Sequence, residues 1–590
     1  MRYWPLFLVI ASPVVQAADS PRSAAIEKLV QGLDGEKLFS RGEGKALRSL
    51  YVAFVESILA DDIKSAFGND HASIMSFLNQ NPEIKELLLT AIDADTDQTS
   101  NALGVFRDLW KHDAEKVKEY PHVAVACAVV WDNPQNVYDY RGHQIRTRSK
   151  MPAMVMENRH LANFTYLTQQ DMPFKATLPH LPWELLIHVV NHYTPANERS
   201  WAISNYQKRK AMIGKSYGDV KYDMEMLRSE MRNGPGLGQC LLTGQIYSLE
   251  NLRRYGGVCA QQADFATRVA KSLAVPAEFV GGEANSGGLH AWVMWVEIKS
   301  ATKDKLDVTM QSEGRYLNDQ YYVGNLQNPQ SGQVITDRQM ELRLATVVLA
   351  PKDSRQADLL MRAFPLVRDM KKLNPRQQLD YVRKVIDLFP YSDRAWSERA
   401  SLIKSGASQA DPQSALNVCD TNFRIFHNYP DFSWKYADDI LTPVKSKQSR
   451  ASQFEKLATR YEQLNRPDLA CQARLKLVEY QTEAKDFQKA AEGLTKTIAK
   501  FSVEGRYVPR MLDQLQVVAL QYKGGAEKLV TFYLQFLPTV PATRGNEVSE
   551  YCIKVHEQAL VFVQKHGKPV DARRIEQKLE LLKRNFPRGQ

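Results

Sequence analysis

Between residues 255 and 314 the chain changes its hydrophobic period, and this constrains the fold more than any other stretch. Tyr255-Gly256-Gly257-Val258-Cys259 leads into Ala263, Ala266, Val269-Ala270 and Leu273, which recur at helical spacing and stop before Pro276. Residues 276–282 read as a short strand ending in glycines, and Asn285-Ser286-Gly287-Gly288 as a loop. A strand follows from His290 to Ile298, with His290, Trp292, Met294, Val296 and Ile298 on one face. Ser300 to Lys305 is turn-like, and the next strand runs from about Leu306 to Gly314. A helix feeding a small set of strands, with helical text on both sides, predicts an α+β chain.

With 590 residues the chain is too long for one core. Arg2, the apolar run Leu6 to Ala11 and the small residues around Val15-Gln16-Ala17 predict an export leader, residues 1–17, cleaved near Ala17. From 18 to 120 the pattern is helical, with Leu47, Leu50, Tyr51 and Phe54 as one apolar face. Residues 121–235 form a mixed region. Its run from His122 to Trp131 reads as β-rich, Val137 to Gly142 and Met154-Val155-Met156 read as short strands, and Pro182 opens a helix. The core spans 236–350, and from 351 to 590 the text is helical. No run reaches the length of a membrane helix, so no membrane span is expected. The net charge of +10 is spread along the chain, which fits solubility rather than a nucleic-acid partner. No metal-ligand spacing or nucleotide loop implies a cofactor or a metal.

Six cysteines, Cys127, Cys240, Cys259, Cys419, Cys471 and Cys552, lie far apart without knuckle spacing. Cys127 sits in an apolar run and Cys471 and Cys552 in helical patterns, all read as inert buried thiols; a Cys419–Cys471 bridge is open. Cys259 differs. In the first turn of a helix it faces unpaired N–H groups and the positive end of the dipole, which favour the thiolate and can receive an oxyanion. His290, 31 residues later (290 − 259), supplies the imidazole that such a nucleophile needs.

A third, orienting group follows from the hairpin. Centring the turn between residues 301 and 302 pairs position i with 603 − i, so Glu313 faces His290 and Asp307 faces Val296. A one-residue slip would turn Glu313 to the other face, and a bulge would bring Asp319 forward instead. Glu313 is favoured slightly over Asp319.

The helix-opening Gly-Gly-Val-Cys259, the Val275-Pro276-Ala277 that ends the helix and the strand-opening His290-Ala291-Trp292-Val293 resemble the transglutaminase-like superfamily, over about residues 240–345. The resemblance implies a papain-like core with a Cys–His–acid site. It implies acyl transfer through a Cys259 thioester, resolved by water as hydrolysis of peptide or amide bonds, or by a primary amine as transamidation. The aspartate–proline pair that the family often carries after the histidine strand is absent here. The alternative is a non-catalytic exported protein that keeps the fold to bind a peptide or partner.

Beyond the core, Tyr316, Tyr321 and Tyr322 suit sheet packing or a substrate groove. Phe389-Pro390 with Trp396, Ala400 and Leu402 is echoed by Tyr429-Pro430 with Trp434, Ala437 and Leu441, the prolines 40 residues apart (430 − 390). This is similar to tetratricopeptide helix pairs and implies a scaffold, or a surface for a protein partner.

Overall fold

The computed structural model describes residues 21–152, 159–169, 172–206, 213–234, 236–284, 289–303, 305–314, 322–406, 412–544 and 547–585. The leader and Met154-Val155-Met156 lie outside the described residues. The architecture is α+β, with one small antiparallel sheet set among helices. Its strands are β1 (Ala277–Glu283), β2 (Leu289–Ala301), β3 (Leu306–Glu313), β4 (Gly324–Gln327) and β5 (Val334–Thr336), in the order β3-β2-β1-β4-β5.

The two faces of β2 bury different neighbours, as its period of two requires. Ala291, Val293 and Trp295 pack with Ala260, Ala263, Ala266 and Ala270 of the helix Cys259–Ser272. Trp292, Met294 and Val296 join the main core on the opposite face. Trp292 is fully buried, and a Cβ at Gly282 would collide with its ring, so only glycine fits there.

The helix Cys259–Ser272 is buried on every side from Ala260 to Ser272, so its polar residues must be paired inside the protein. Arg268 Nη2 donates to Glu198 at 2.6 Å, its Nη1 to Asp264 at 3.5 Å and its Nε to Thr194 at 3.1 Å, while its guanidinium lies 4.0 Å from the Tyr140 ring centre. Lys271 donates to the His188 carbonyl at 2.8 Å, to Asn191 and to Glu278 at 3.3 Å. Burial lowers the Lys271 pKa to about 8, against the pull of Glu278.

The strands expected in the mixed region are corrected: its described residues form helices and their connections. Pro121–Trp131 is a helix, with Pro121 in its first turn and every residue from Val123 to Trp131 buried. A uniformly apolar run has no period to separate a strand from an enclosed helix. The small residues Ala124, Ala126, Cys127 and Ala128 let neighbouring helices approach this one closely. Val137 to Gly142 is not a strand either. Tyr138 makes a single parallel bridge to His192, and a helix begins at Arg141.

All six cysteines are free thiols, so Cys419 and Cys471 form no bridge. No helix among the described residues is long and apolar enough to cross a membrane.

The C-terminal part is a run of helices in which Pro375–Leu388 pairs with Asp393–Lys404, Pro412–Ile425 with Pro430–Ile440, Lys447–Gln463 with Pro467–Glu483, and Phe487–Lys500 with Val508–Ala519. Trp396 and Trp434 occupy echoed positions with unlike partners. Trp396 donates to the Pro390 carbonyl at 2.9 Å and Trp434 to Gln472 at 3.1 Å.

The N-terminal helices meet the core at a carboxylate seam. Burial pushes the Asp97 carboxyl up to about 7, although the Asp93 N–H and the Gln330 amide donate to it, each at 2.8 Å. A carboxyl raised in the folded state stabilises the fold fully below its unfolded pKa, and that stability is lost as pH rises through about 7. Asp97→Asn, which keeps an acceptor without the charge, is expected to gain about 2 kcal/mol on wild type between pH 5 and pH 8. Chemical denaturation at the two pH values measures this; a constant difference between the proteins would refute it.

Candidate active site

Cys259 is the first residue of its helix, with Val258 as the preceding cap. The Gln261 side chain turns back to accept from the Val258 N–H at 3.1 Å, which fixes this turn. The approach is pinned from outside as well. Gly257 N donates to the Lys221 carbonyl at 3.0 Å, and Asp223 N to the Gly257 carbonyl at 2.9 Å.

The thiol lies against β2 at Ala291, the residue after His290. Burial raises its pKa above the ordinary thiol value, opposed by the Ala291 N–H, the Arg146 guanidinium and the N–H groups of Ala260 and Cys259 itself. The expected net lowering by the helix end is therefore corrected: the dipole-end donors are present, and burial outweighs them. Cys240, also half-buried, makes a useful contrast. Its pKa is raised by burial too, and the carboxylates Asp223 and Glu230 push it further up. Cys127, Cys419, Cys471 and Cys552 are buried, and burial raises all four.

His290 is buried at the start of β2, and its ring centre lies 6.4 Å from that of Trp292. Its Nε2 lies 2.5 Å from the Gly314 carbonyl. A carbonyl only accepts, so Nε2 carries the proton and Nδ1 is the basic nitrogen of the neutral ring. Gly314 has φ +96°, and a Cβ there would overlap the Tyr217 ring. Tyr217 in turn donates from its hydroxyl to the Ala291 carbonyl at 3.0 Å. Ala291 thus serves Cys259 with its N–H and Tyr217 with its C=O, and Gly314 joins Tyr217 to His290.

Glu313 does not face His290. It pairs with Val293, is exposed, and lies close to Gly214. Three residues of strand, about 10 Å, separate Val293 from His290. The turn explains the slip. Thr302 N donates to the Lys305 carbonyl at 2.9 Å, and Ala301 pairs with Leu306, so the turn is centred two residues later than expected and each partner moves by four. A bulge between Ile298 and Ser300 then takes back one position. The net shift of three is odd, so Glu313 changes face as well as place. Asp307 pairs with Ser300 rather than Val296. Asp319 lies outside the described residues, as do Tyr316 and Tyr321. Tyr322 is buried and donates to Glu504 at 2.7 Å, a packing role that ties the sheet to the C-terminal helices.

Two residues of this site carry no local signal in the sequence. Tyr217 lies 74 residues from the group it contacts. Arg146 is held by both oxygens of Glu230, through Nε at 2.8 Å and through Nη2. Glu230 is itself fixed by the Gly236 N–H at 3.1 Å. Arg146 is the positive side chain that acts on Cys259.

Among the described residues no group of His, Cys, Asp and Glu side chains is arranged to hold a metal. A cavity of about 740 Å³, walled by Phe39, Tyr381, Arg383 and Arg399 among others, lies away from this site. No protein-family model matches the chain, and no curated protein matches it in sequence.

Proposed function

We propose that the chain is an exported cysteine acyl-transfer enzyme with a transglutaminase-like, papain-like core, acting on peptide or amide bonds. One observation carries the reading: Cys259 opens a buried helix against Ala291, and the adjoining His290 has its tautomer set by the Gly314 carbonyl.

The chemistry follows from these positions. Because burial favours the neutral thiol, activation runs by proton transfer from Sγ to Nδ1 of His290 as Sγ attacks the carbonyl carbon. The Cys259 and Ala260 N–H groups at the helix end face the oxyanion that forms. Collapse breaks the C–N bond, and the imidazolium gives its proton to the leaving amine. Water, deprotonated by His290, then attacks the thioester; the S–C bond breaks, the acid leaves and the thiol is restored. A primary amine in place of water gives transamidation. The C-terminal helices, similar to tetratricopeptide pairs, would present a protein partner or the substrate.

A second reading, a non-catalytic peptide- or partner-binding protein, draws on the raised pKa of Cys259. Alkylation by iodoacetamide across pH separates the two. An activated Cys259 is labelled faster at neutral pH than Cys240 in the same molecule, and His290→Ala slows that labelling while leaving Cys240 unchanged. Equal rates for both cysteines, unaffected by His290→Ala, would leave only the binding reading.

A further inference from the structure

Past the nucleophile, the face of β2 that carries Ala291 continues for one more same-face residue, Leu289. The helix Cys259–Ser272 covers Ala291, Val293 and Trp295 but begins at Cys259, so nothing in it reaches Leu289. Leu289 is 87% exposed although it lies in a strand next to a buried core. A leucine this exposed in line with a candidate nucleophile is informative in a way that a scattered surface leucine is not.

The C-terminal helices reach this same place. Leu289 pairs with Glu283 across β1, so their side chains lie next to each other on one face. Glu283 is 3.1 Å from Arg506, in the connection between the helices Phe487–Lys500 and Val508–Ala519. Two residues earlier, Glu504 is buried and accepts from Tyr322, which leads into β4 beside Gly282. Gly282 is the residue opposite His290. The connection is therefore anchored at two points, at the end of β1 beside Leu289 and at the approach to β4, one strand further from β2. Between those anchors and the preceding helix stands Val503, a second apolar side chain left 47% exposed.

We propose that Leu289 and Val503 form an apolar subsite of the Cys259–His290 site, with the connection 501–507 as its outer wall. Its occupant is an apolar side chain of an extended peptide substrate. Leu289 lies two strand residues from Ala291, about 7 Å, which is the spacing of same-face side chains in an extended peptide. A peptide whose scissile carbonyl is at Sγ thus places a neighbouring side chain over Leu289. The inference rests on the acyl-transfer reading and deepens it to a substrate class.

The test uses the full chain and two alkylating reagents. Iodoacetamide reports the thiol alone. Peptidyl chloromethyl ketones, which lose chloride to the thiolate, report recognition, and are made with leucine or aspartate at the residues flanking the reactive group. The leucine reagent is expected to react with Cys259 at least about tenfold faster than the aspartate reagent. Leu289→Asp and Val503→Asp are each expected to abolish that preference while the iodoacetamide rate stays at the wild-type value. Both side chains are exposed, and Leu289→Ser serves as a milder variant. Absence of a leucine preference, or a preference that survives Leu289→Asp and Val503→Asp, overturns the subsite. Failure of iodoacetamide to label Cys259 strikes the acyl-transfer reading itself, a separate result.

Discussion

If the proposed acyl transfer is the chain's reaction, Cys259→Ala is expected to abolish amide hydrolysis, with a loss of about 10⁴-fold or more, because the thioester would form on Cys259. His290→Ala should lose about 10²–10⁴-fold by removing the proton carrier for both half-reactions. Glu313→Gln should leave turnover nearly unchanged, since Glu313 pairs with Val293 and is exposed. Gly314→Ala is the informative variant. The acceptor for Nε2 is a main-chain carbonyl and cannot be removed by substitution, but any side chain at φ +96° strains the backbone and strikes Tyr217. Displacing that carbonyl misaims the imidazole, so Gly314→Ala should lower kcat more than it raises KM. Single-turnover and steady-state rates on a peptide mixture provide the comparison. Full activity in Cys259→Ala would end the nucleophile assignment, and a large loss in Glu313→Gln would show that the side chain acts on the histidine after all.

The parts of the site that could be read from the sequence are those specified over short distances. Gly-Gly before Cys259 and Pro276 after the helix bracket an element of the predicted kind, and alternation from His290 to Ile298 places Trp292, Met294 and Val296 together in the main core. The partner strand could not be read in the same way. Its register depends on where four residues turn and on one bulged position, neither of which apolar alternation reports, and an error of three positions moved Glu313 to the other face. The run from His122 to Trp131 failed for a different reason. Apolar on every side, it carries no period, and only its enclosure by other helices decides its state. Tyr217 and Arg146 belong to a third class, brought to Cys259 by tertiary packing alone. The leucine at 289 is legible only once both its exposure and the end of the cysteine helix are known.

The cysteine helix depends on buried charge, which gives the second large expected effect. Arg268 is fully buried. Burial works against its charge, and Glu198, then Tyr140 and Asp264, more than offset this and hold it protonated. Glu198 Oε2 accepts both from Arg268 at 2.6 Å and from the Leu249 N–H at 2.7 Å, at the start of the helix Leu249–Tyr255 that leads into Gly256-Gly257. Glu198→Ala therefore removes two partners at once. It leaves Arg268 with Asp264 at 3.5 Å and Thr194 at 3.1 Å, and strands a backbone N–H ten residues before Cys259 (259 − 249). Removing one member of a buried ion pair costs about 3–5 kcal/mol. Glu198→Gln, which can still accept from Leu249, should cost less. In a chain with several helical units one unfolding midpoint does not report on one helix. Hydrogen exchange of the Ala260–Ser272 amides measures the opening of this helix directly. In Glu198→Ala those amides should exchange about 10²–10⁴-fold faster, the range that 3–5 kcal/mol implies, with the amides of Val508–Ala519 unchanged. Iodoacetamide labelling of Cys259 should lose its dependence on His290 in the same variant, since the helix end that presents the thiol is no longer held. Protection within about threefold of wild type would show that Asp264 and Thr194 suffice for Arg268, and would remove Glu198 from the support of the site.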